Sequence, residues 1–414
     1  MSYVTCLRGL GSGACYSAER LMGVCPVDAR PLEMVLDLAR LRRERPDASW
    51  YRPARMSMWR FGALLALDPD DAADRAHIVS LGEGATPLLD YDDHPLAQRA
   101  RFRLAIKEEG RAVPGFGRNP TGSFKDRGMA MVASMARRFA LERLAIPTQG
   151  NAGDSLVEYA LQAGIDVVVV MPEDTPLAIR DRVQTRARET GRVRCELVHG
   201  TIREAGARIR ERYLPEGYFS VATFQELGWR IEGKKTLGLE LAEPRNGSGW
   251  RVPDVIVYPT GGGTGVLGMW KAFAELEALG LIDSRRPRMI AVQSVVTAPI
   301  VRAFESGELD TQARAAGHTL AVGLNVPGGI GHFRVLEILR ESNGAAIAVE
   351  ETALAAAWRA VHRDRGWRLS PEGAATLAAL EPLLDRGLIR AGDRVVAVNT
   401  GAFEKYLPDV ECLL

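Results

Sequence analysis

Short apolar runs separated by amphipathic stretches dominate this chain. Apolar runs without polar alternation, made mostly of Val, Ile, Leu and Ala, predict strands buried on both faces, as in a parallel sheet; they cover residues 144–146, 167–170, 255–258, 289–292 and 395–398. Helical patterns, such as those at residues 153–163 and 265–279, lie between many of these runs. The alternation predicts an α/β fold with right-handed crossovers.

Three of these strand runs end in loops of small or polar residues. The loops are Thr-Gln-Gly-Asn at 148–151, Thr-Gly-Gly-Gly-Thr-Gly at 260–265 and Asn-Thr-Gly at 399–401. Open α/β sheets bind their ligands outside the carboxyl ends of the strands. If the three loops share one end of one sheet, we expect them to converge on one site.

Length, charge and cysteine content narrow the class of protein. A chain of 414 residues exceeds what one hydrophobic core usually serves, so two domains are expected. With 53 basic and 52 acidic residues, neither nucleic acid nor an acidic membrane surface is an expected partner. No apolar stretch approaches the roughly 20 residues of a membrane span, and no secretory signal pattern is present. Five scattered cysteines suit a reducing cytoplasm.

Two segments are less regular. Residues 1–80, in which Met and Trp are scattered among helical patterns, are interpreted as an N-terminal extension. The Pro-, Gly- and Ser-rich residues 244–253 are the clearest candidate for a linker.

The glycine-rich segment at 255–268 passes from a predicted strand into a predicted helix. Such a turn lets backbone N–H groups approach a phosphate, helped by the helix dipole. Gly263, Gly265 and Gly268 match the spacing of the dinucleotide fingerprint, but the next strand ends in Gln293 and Ser294 instead of a ribose-binding acid. The pattern therefore favours another phosphate-bearing cofactor or substrate over a nicotinamide or flavin. A turn that serves only close packing is the structural alternative.

Lys125 lies within Asn-Pro-Thr-Gly-Ser-Phe-Lys-Asp-Arg-Gly at residues 119–128. A catalytic lysine must be deprotonated part of the time, and burial or a neighbouring cation lowers its pKa. Arg127 and the backbone donors of this turn could provide such surroundings. Taken alone, however, a single lysine is more often a solvated surface group.

Residues 119–128 resemble the Schiff-base segment of threonine synthases, which belong to the fold-type II pyridoxal-phosphate (PLP) enzymes. Further segments resemble motifs of that family in the same order along the chain, and they lie at 82–88, 150–153, 230–236, 261–265, 371–376 and 399–401. The resemblance implies a tryptophan synthase β-like fold of two domains, each with a largely parallel sheet flanked by helices. It places the large domain at 81–118 and 235–414, the small domain at 119–234, and residues 1–80 against the large domain.

The same resemblance implies which residues bind PLP. Lys125 would form the Schiff base and act as general acid and base, with Phe124 beside the cofactor ring. Asn151 would donate to the phenolic oxygen. The hydroxyl of Thr400 would meet the pyridine nitrogen and leave it largely unprotonated, which suits elimination and replacement. The phosphate would be held by Gly261, Gly262, Gly263, Thr264 and Gly265.

The substrate implied by the resemblance is O-phosphohomoserine, converted to threonine and phosphate in a homodimeric lyase. Its carboxylate would meet the loop that carries Thr148, Gln149, Gly150 and Ala152. Candidates for its phosphate are Lys107, Asn119, Ser123 and Arg127. No metal is expected, because the N-terminal Cys6, Cys15 and Cys25 form no Cys-x-x-Cys pair and lack a fourth ligand.

Three departures from the family pattern leave the substrate open. Residues 111–118 are an insertion, Gln149 replaces a Ser or Thr, and His332 stands where Asp is expected, with packing as its simplest role. The alternatives are a PLP-dependent β-replacement or β-elimination enzyme, similar to cysteate or diaminopropionate synthases, and a non-catalytic PLP-binding paralogue. A nicotinamide-dependent oxidoreductase is a third alternative, but this chain lacks the ribose-binding acid that such an enzyme needs.

Overall fold

The computed structural model describes residues 3–245 and 247–413, and strands alternate with helices over most of this length. In chain order the strands are β1 (Val4–Gly9), β2 (Cys15–Ser17), β3 (Leu32–Leu36), β4 (Leu88–Asp90), β5 (Arg103–Glu108), β6 (Arg143–Pro147), β7 (Asp166–Pro172), β8 (Val193–Val198), β9 (Phe219–Ser220), β10 (Val255–Pro259), β11 (Arg288–Ser294), β12 (Ala345–Val349) and β13 (Arg394–Asn399).

The helices are α1 (Leu38–Glu44), α2 (Ala72–Arg75), α3 (Pro95–Ala100), α4 (Lys125–Arg138), α5 (Asn151–Ala163), α6 (Leu177–Glu189), α7 (Ile202–Arg208), α8 (Trp229–Ala242), α9 (Thr264–Ala278), α10 (Pro299–Glu305), α11 (His332–Glu341), α12 (Glu351–Arg365), α13 (Pro371–Ala378) and α14 (Leu380–Asp385). Short 3₁₀ segments cover Met58–Leu64, Val322–Leu324, Phe403–Tyr406 and Glu411–Leu413, and Ile209–Tyr213 forms a π-helical turn.

These strands form three sheets. One has the order β8-β7-β6-β9, and all its pairs are parallel. The largest has the order β12-β11-β10-β13-β5-β4, parallel except for the antiparallel edge strand β4. The third is antiparallel, with the order β2-β1-β3. The two larger sheets confirm the predicted α/β fold, and the five predicted strand runs lie within β6, β7, β10, β11 and β13.

The described residues divide into two compact units. The first comprises the described residues up to Ala85, Asn119–Thr236 and Lys405–Pro408, and it holds the four-stranded and the antiparallel sheets. The second comprises Thr86–Arg118, Leu237–Glu404 and the described residues from Asp409 onward, and it holds the six-stranded sheet. The N-terminal extension therefore groups with Asn119–Thr236, which differs from the expected packing of residues 1–80 on the large domain.

The predicted linker does not separate the two units. Residues 244–253, of which Asn246 lies outside the described residues, connect α8 to β10 within the second unit. The division between the units falls instead at Thr236, inside α8.

Helix α4 runs through the hydrophobic core of the first unit. Every residue of this helix from Asp126 to Ala136 is buried, and most are Ala or Met, which favour helices and fill irregular space. Leu144 of β6, Leu156 of α5 and Val169 of β7 belong to the same core. This packing fixes the axis of α4, and therefore the position of Lys125 at its first residue.

The N-terminal region differs from its prediction. Helical patterns were expected over residues 1–80, whereas β1 pairs with both β2 and β3 in an antiparallel sheet. In β3, Leu32, Met34 and Leu36 alternate with less buried residues, which is the period of a strand. The run is only five residues long and pairs with a segment more than twenty residues away, so its local pattern was a weak signal.

Membrane-spanning helices and metal-holding clusters are absent from the described residues. No helix among them has both the length and the apolar character needed to cross a bilayer. They contain no group of three or more His, Cys, Asp or Glu side chains arranged to hold a metal ion. Cys6 and Cys15 face each other across β1 and β2 with their sulfurs 3.3 Å apart, and Cys25 is buried.

Candidate active site

A buried carboxylate shapes the loop that precedes Lys125. Asp126 accepts from the backbone N–H of Thr121 at 2.7 Å, from its hydroxyl at 2.6 Å and from Ser155 of α5 at 2.6 Å. Burial raises the pKa of Asp126, and these donors and nearby Lys405 oppose that rise. The loop is thereby folded back onto the start of α4, which places Lys125 on a rigid support.

Lys125 itself is half-buried and lies beside an aromatic ring. Its Nζ is 4.1 Å from the centroid of the Phe124 ring, and Phe124 is buried. The Lys125 backbone N–H donates to Ser123 Oγ at 3.3 Å, so Ser123 takes part in building the turn. Asn119 is also buried, and its carbonyl accepts from Gly122 N–H at 2.9 Å. Phe124 and Ser123 therefore contact the lysine, and Asn119 helps to form the preceding turn.

The loop between β6 and α5 is built around Thr148. Its Oγ1 accepts from the N–H groups of Gly150 and Gly153, each at 3.2 Å, and its hydroxyl donates to the Gly150 carbonyl at 3.1 Å. A Cβ at Gly153 would stand 2.3 Å from Thr148 Cγ2, so this close approach requires glycine. The Thr148 hydroxyl is thus committed to the loop. Gln149, Gly150 and Ala152 are half-buried around it.

Asn151, the first residue of α5, carries a buried oxygen that no described residue bonds. Its Nδ2 donates to Tyr406 Oη at 3.0 Å, while its Oδ1 has no hydrogen-bond partner among the described residues. With the amide reversed, Tyr406 would donate to the oxygen and the NH₂ group would face an acceptor. An amide that lacks one partner fits a ligand oxygen at this position.

Two residues near the C-terminal end of the chain support this loop and were missed by the sequence analysis. Besides Tyr406, Lys405 is buried, and its Nζ donates to Asp154 of α5 at 2.6 Å and to the Thr121 carbonyl at 2.9 Å. A local reading gives no sign of these contacts, because they join residues more than 250 positions apart.

The glycine loop of the second unit leads from β10 into α9. Gly263 precedes the helix with φ +88°, a conformation that favours glycine, and as the N-cap residue it has no side chain with which to cap the helix. A Cβ at Gly265 would stand 2.0 Å from Tyr258 Oη, and one at Gly261 would stand 2.3 Å from the Gly323 carbonyl. Packing therefore accounts for several of these glycines. The uncapped N-terminus of a fifteen-residue helix remains a site that suits a phosphate.

His332 contacts the glycine loop at Gly261. Its Nε2 lies 3.0 Å from the Gly261 carbonyl, which can only accept, so Nε2 carries the proton and Nδ1 accepts from Thr311 Oγ1 at 2.9 Å. The side chain is fully buried, and this burial lowers the pKa of His332 to about 4. The histidine thus has the expected packing role in the interior, and its hydrogen bond to Gly261 also orients the glycine loop.

Replacing His332 with Gln should flatten the acid side of the stability profile. In the folded chain the pKa of His332 is about 4, against an ordinary value of 6.5, so the unfolded chain binds the proton first as pH falls. Stability is therefore lost between pH 6.5 and about 4, by up to about 3 kcal/mol from this residue. Denaturant titrations at several pH values would measure the slope. His318→Gln, at an exposed histidine, is the control; an unchanged slope in His332→Gln would contradict the prediction.

The ends of β13 and β5 meet through Asn399 in the same unit. Asn399 donates to Glu108 Oε1 at 2.7 Å and accepts from the backbone and hydroxyl of Ser370 at 3.0 and 2.9 Å. Burial raises the pKa of Glu108, and the N–H groups of Gly110 and Arg111 act against it. Thr400, which follows Asn399, is buried on this support.

Only two of the three loops follow strands of one sheet. The loops after β10 and β13 share the carboxyl end of the six-stranded sheet, because these strands are parallel neighbours. The loop at 148–151 follows β6 in the four-stranded sheet of the first unit, so the condition of one common sheet does not hold for it. Two separate runs of parallel strands give the same sequence pattern as one.

Lys107 and Arg127, two of the predicted phosphate contacts, are both fully buried. Lys107 is fully buried in the second unit; its Nζ lies 2.7 Å from Glu240 Oε2 and donates to the Thr86 carbonyl at 2.6 Å. Arg127 is fully buried in the first unit, where it donates to Thr236 Oγ1 at 3.0 Å. Both cations are occupied inside their own units, because an interior charge needs a partner there.

Known proteins with similar sequences support the interpretation of the Lys125 segment, the Asn151 loop and the glycine loop. Residues 79–401 match the family described as pyridoxal-phosphate dependent enzyme. The threonine synthase of Methanosarcina acetivorans is 30% identical over 404 residues, which are 95% of this chain and 91% of that protein. The threonine synthase of Methanocaldococcus jannaschii is 28% identical over 395 residues, with the same two shares.

A solved structure shows the same fold. Diaminopropionate ammonia lyase from Escherichia coli matches with a TM-score of 0.65 at 17% identity, covering 89% of this chain and 97% of that one. At this identity the likeness concerns the fold alone. It agrees with parallel sheets flanked by helices in both units.

The chain therefore belongs to the pyridoxal-phosphate dependent enzymes, and its cofactor is PLP. Within that family it is threonine synthase-like, and its activity is that of a PLP-dependent lyase.

Proposed function

We propose that this protein converts O-phosphohomoserine and water to threonine and phosphate. The observation that carries the proposal is similarity to a threonine synthase at 30% identity over 95% of the chain. The Lys125 segment, the Asn151 loop and the glycine loop each have local geometry that fits such an enzyme.

The residues that would hold the cofactor fit its chemical groups. The Lys125 amine would bind its aldehyde carbon, and Asn151 has an amide atom to offer its phenolic oxygen. The N–H groups of Gly261, Gly262, Gly263, Thr264 and Gly265, at the uncapped start of α9, would bind its phosphate. Thr400 would place a hydroxyl at the pyridine nitrogen, and Phe124 would lie beside the ring.

Once bound, PLP draws electrons from the carbons next to the substrate amine. The protein's own task is to orient the substrate and move protons. Lys125 would remove the proton from the substrate Cα and return it later in the reaction. The N–H groups at the start of α5, in the loop of Gln149, Gly150 and Ala152, would bind the substrate carboxylate, because a helix N-terminus favours an anion. Asn119 and Ser123 remain the candidates for the substrate phosphate.

A substrate panel tests the proposal directly. Phosphate release and amino-acid products would be measured with O-phosphohomoserine and O-phosphoserine, each with water, sulfite or ammonia as the acceptor. We expect threonine from O-phosphohomoserine, with a kcat/KM at least about 100-fold above that for O-phosphoserine. Preference for O-phosphoserine with sulfite or ammonia would establish a β-replacement enzyme instead, a possibility left open by Gln149 and residues 111–118. A cofactor-loaded protein that releases no phosphate from either would support a non-catalytic role.

Compartment and assembly are part of the same proposal. Five free cysteines suit a cytoplasmic enzyme. A homodimer follows from the resemblance to threonine synthases, and light scattering of the purified protein would test it.

A further inference from the structure

A second lysine lies beside the ring that flanks Lys125. Lys234 of α8 places its Nζ 4.6 Å from the centroid of the Phe124 ring, and Lys125 Nζ is 4.1 Å from the same centroid. Lys234 is 3% exposed. Two amines therefore share one aromatic ring in the interior of the first unit.

Two glycines bring this lysine to the start of α4. A Cβ at Gly233 would stand 2.0 Å from the Arg127 carbonyl, so α8 and α4 approach as closely as their backbones allow. A Cβ at Gly128 would stand 3.3 Å from Lys234 Cε, which runs along the first turn of α4. The close crossing of α8 and α4 thus fixes the position of Lys234 in the interior.

The charges around Lys234 disfavour two protonated amines. Arg230 on the same helix and Lys125 on α4 are positive and lower the pKa of Lys234, while the negative Glu226, before α8, raises it. All three of Lys234, Arg230 and Glu226 are buried. Burial and then the charge of Lys125 hold the pKa of Lys234 well below its usual range.

We propose that Lys234 is a positioning residue for Lys125: the two amines bind protons as a coupled pair across the Phe124 ring, so the pair holds one proton where two separate amines would hold two, and the Lys125 amine is in its neutral, nucleophilic form part of the time. The inference rests on the proposed role of Lys125 as the cofactor-binding lysine. Coupling of this kind is reciprocal, because each proton on one amine makes protonation of the other harder. Lys234 would act on the chemistry through Lys125 and Phe124, without a contact of its own to substrate or cofactor.

The test uses the cofactor-free protein and the small number of lysines. The chain has only six, Lys107, Lys125, Lys234, Lys235, Lys271 and Lys405, and none is exposed. Brief acylation with acetic anhydride, which reacts with neutral amines, would be quantified at Lys125 by peptide mass spectrometry across a pH series. Three variants are compared: Lys234→Met removes the charge at similar length, Lys234→Arg makes it permanent, and Lys271→Met removes a lysine of the other unit as the control.

We expect the variants to move the acylation midpoint of Lys125 in opposite directions. Lys234→Met should shift it to higher pH and slow acylation at neutral pH by about tenfold. Lys234→Arg, whose charge is permanent, should shift it to lower pH, and Lys271→Met should leave it unchanged. The rate at which the visible absorbance grows after PLP is added should follow the same order. Should Lys234→Met not fold, Lys234→Gln takes its place.

The outcomes separate this inference from the proposed function. Borohydride reduction of the PLP-loaded protein attaches the cofactor permanently, and peptide mapping finds which lysine carries it. Attachment to a lysine other than 125 would overturn the site assignment itself. Attachment at Lys125, with a midpoint that ignores both substitutions or moves the same way in both, would overturn only the role of Lys234.

Discussion

Lys125→Ala should lose the visible absorbance of lysine-bound PLP and at least about a thousandfold of the activity, because one amine both attaches the cofactor and moves the substrate proton. The Asp126 network that builds the loop does not involve the lysine side chain, so the variant should still fold. Absorption spectra, phosphate release and thermal unfolding would be measured on the same preparations.

Chemical rescue separates the two roles of this amine. A small alkylamine added to Lys125→Ala should restore part of the proton transfer without restoring covalent attachment. Lys271→Ala, at a lysine paired with Glu275 in the second unit, is the matched control and should keep the absorbance. A Lys125→Ala protein that retained both the absorbance and turnover would remove the lysine from the mechanism.

Lys107→Met should lower the free energy of unfolding by about 3–5 kcal/mol, because it leaves Glu240 and Glu109 as buried carboxylates without their cation. Lys107 Nζ lies 2.7 Å from Glu240 and 3.7 Å from Glu109, and all three side chains are inaccessible to solvent. Urea unfolding would measure the loss. Arg103→Met removes a cation of the same strand from an exposed pair with Asp92, and it should cost no more than about 1 kcal/mol.

A double substitution decides between a structural and a substrate role for Lys107. Lys107→Met combined with Glu240→Leu replaces the closer ion pair with apolar groups and should recover part of the lost stability, with Glu109 left to its hydrogen bond from Thr86. The recovered protein should show the wild-type KM for O-phosphohomoserine. A stable single variant with a strongly raised KM would instead return Lys107 to the phosphate site.

The sequence predicted the parts of the fold that depend on local pattern. Uninterrupted runs of Val and Ile identified β7, β10 and β13, because a strand covered on both faces has no polar side. The antiparallel sheet of β1, β2 and β3 was missed, since its strands are short and pair across loops. The sheet to which each loop belongs also depends on which strands pair, and the sequence of one strand does not show its partner.

The candidate site was predictable where a motif is continuous in sequence. Lys125, Phe124 and Asn151 lie in such motifs, and their roles at the cofactor stay predictions. Tyr406 and Lys405 could not be found this way, because they reach α5 and Thr121 only in the folded chain. The burial of Lys107 could not be predicted either, because a lysine followed by two glutamates looks like a solvent-exposed segment in the sequence.

This chain has few lysines and none is exposed, which matters for a protein whose cofactor is an aldehyde. Free PLP, like reducing sugars, condenses with any accessible uncharged amine, and arginine does not react in this way. Since arginine supplies nearly all of the basic groups and all six lysines are at least half-buried, few side chains compete for the aldehyde. Incubation with excess PLP should therefore saturate near one equivalent per chain, with little slow adduct formation elsewhere on its surface.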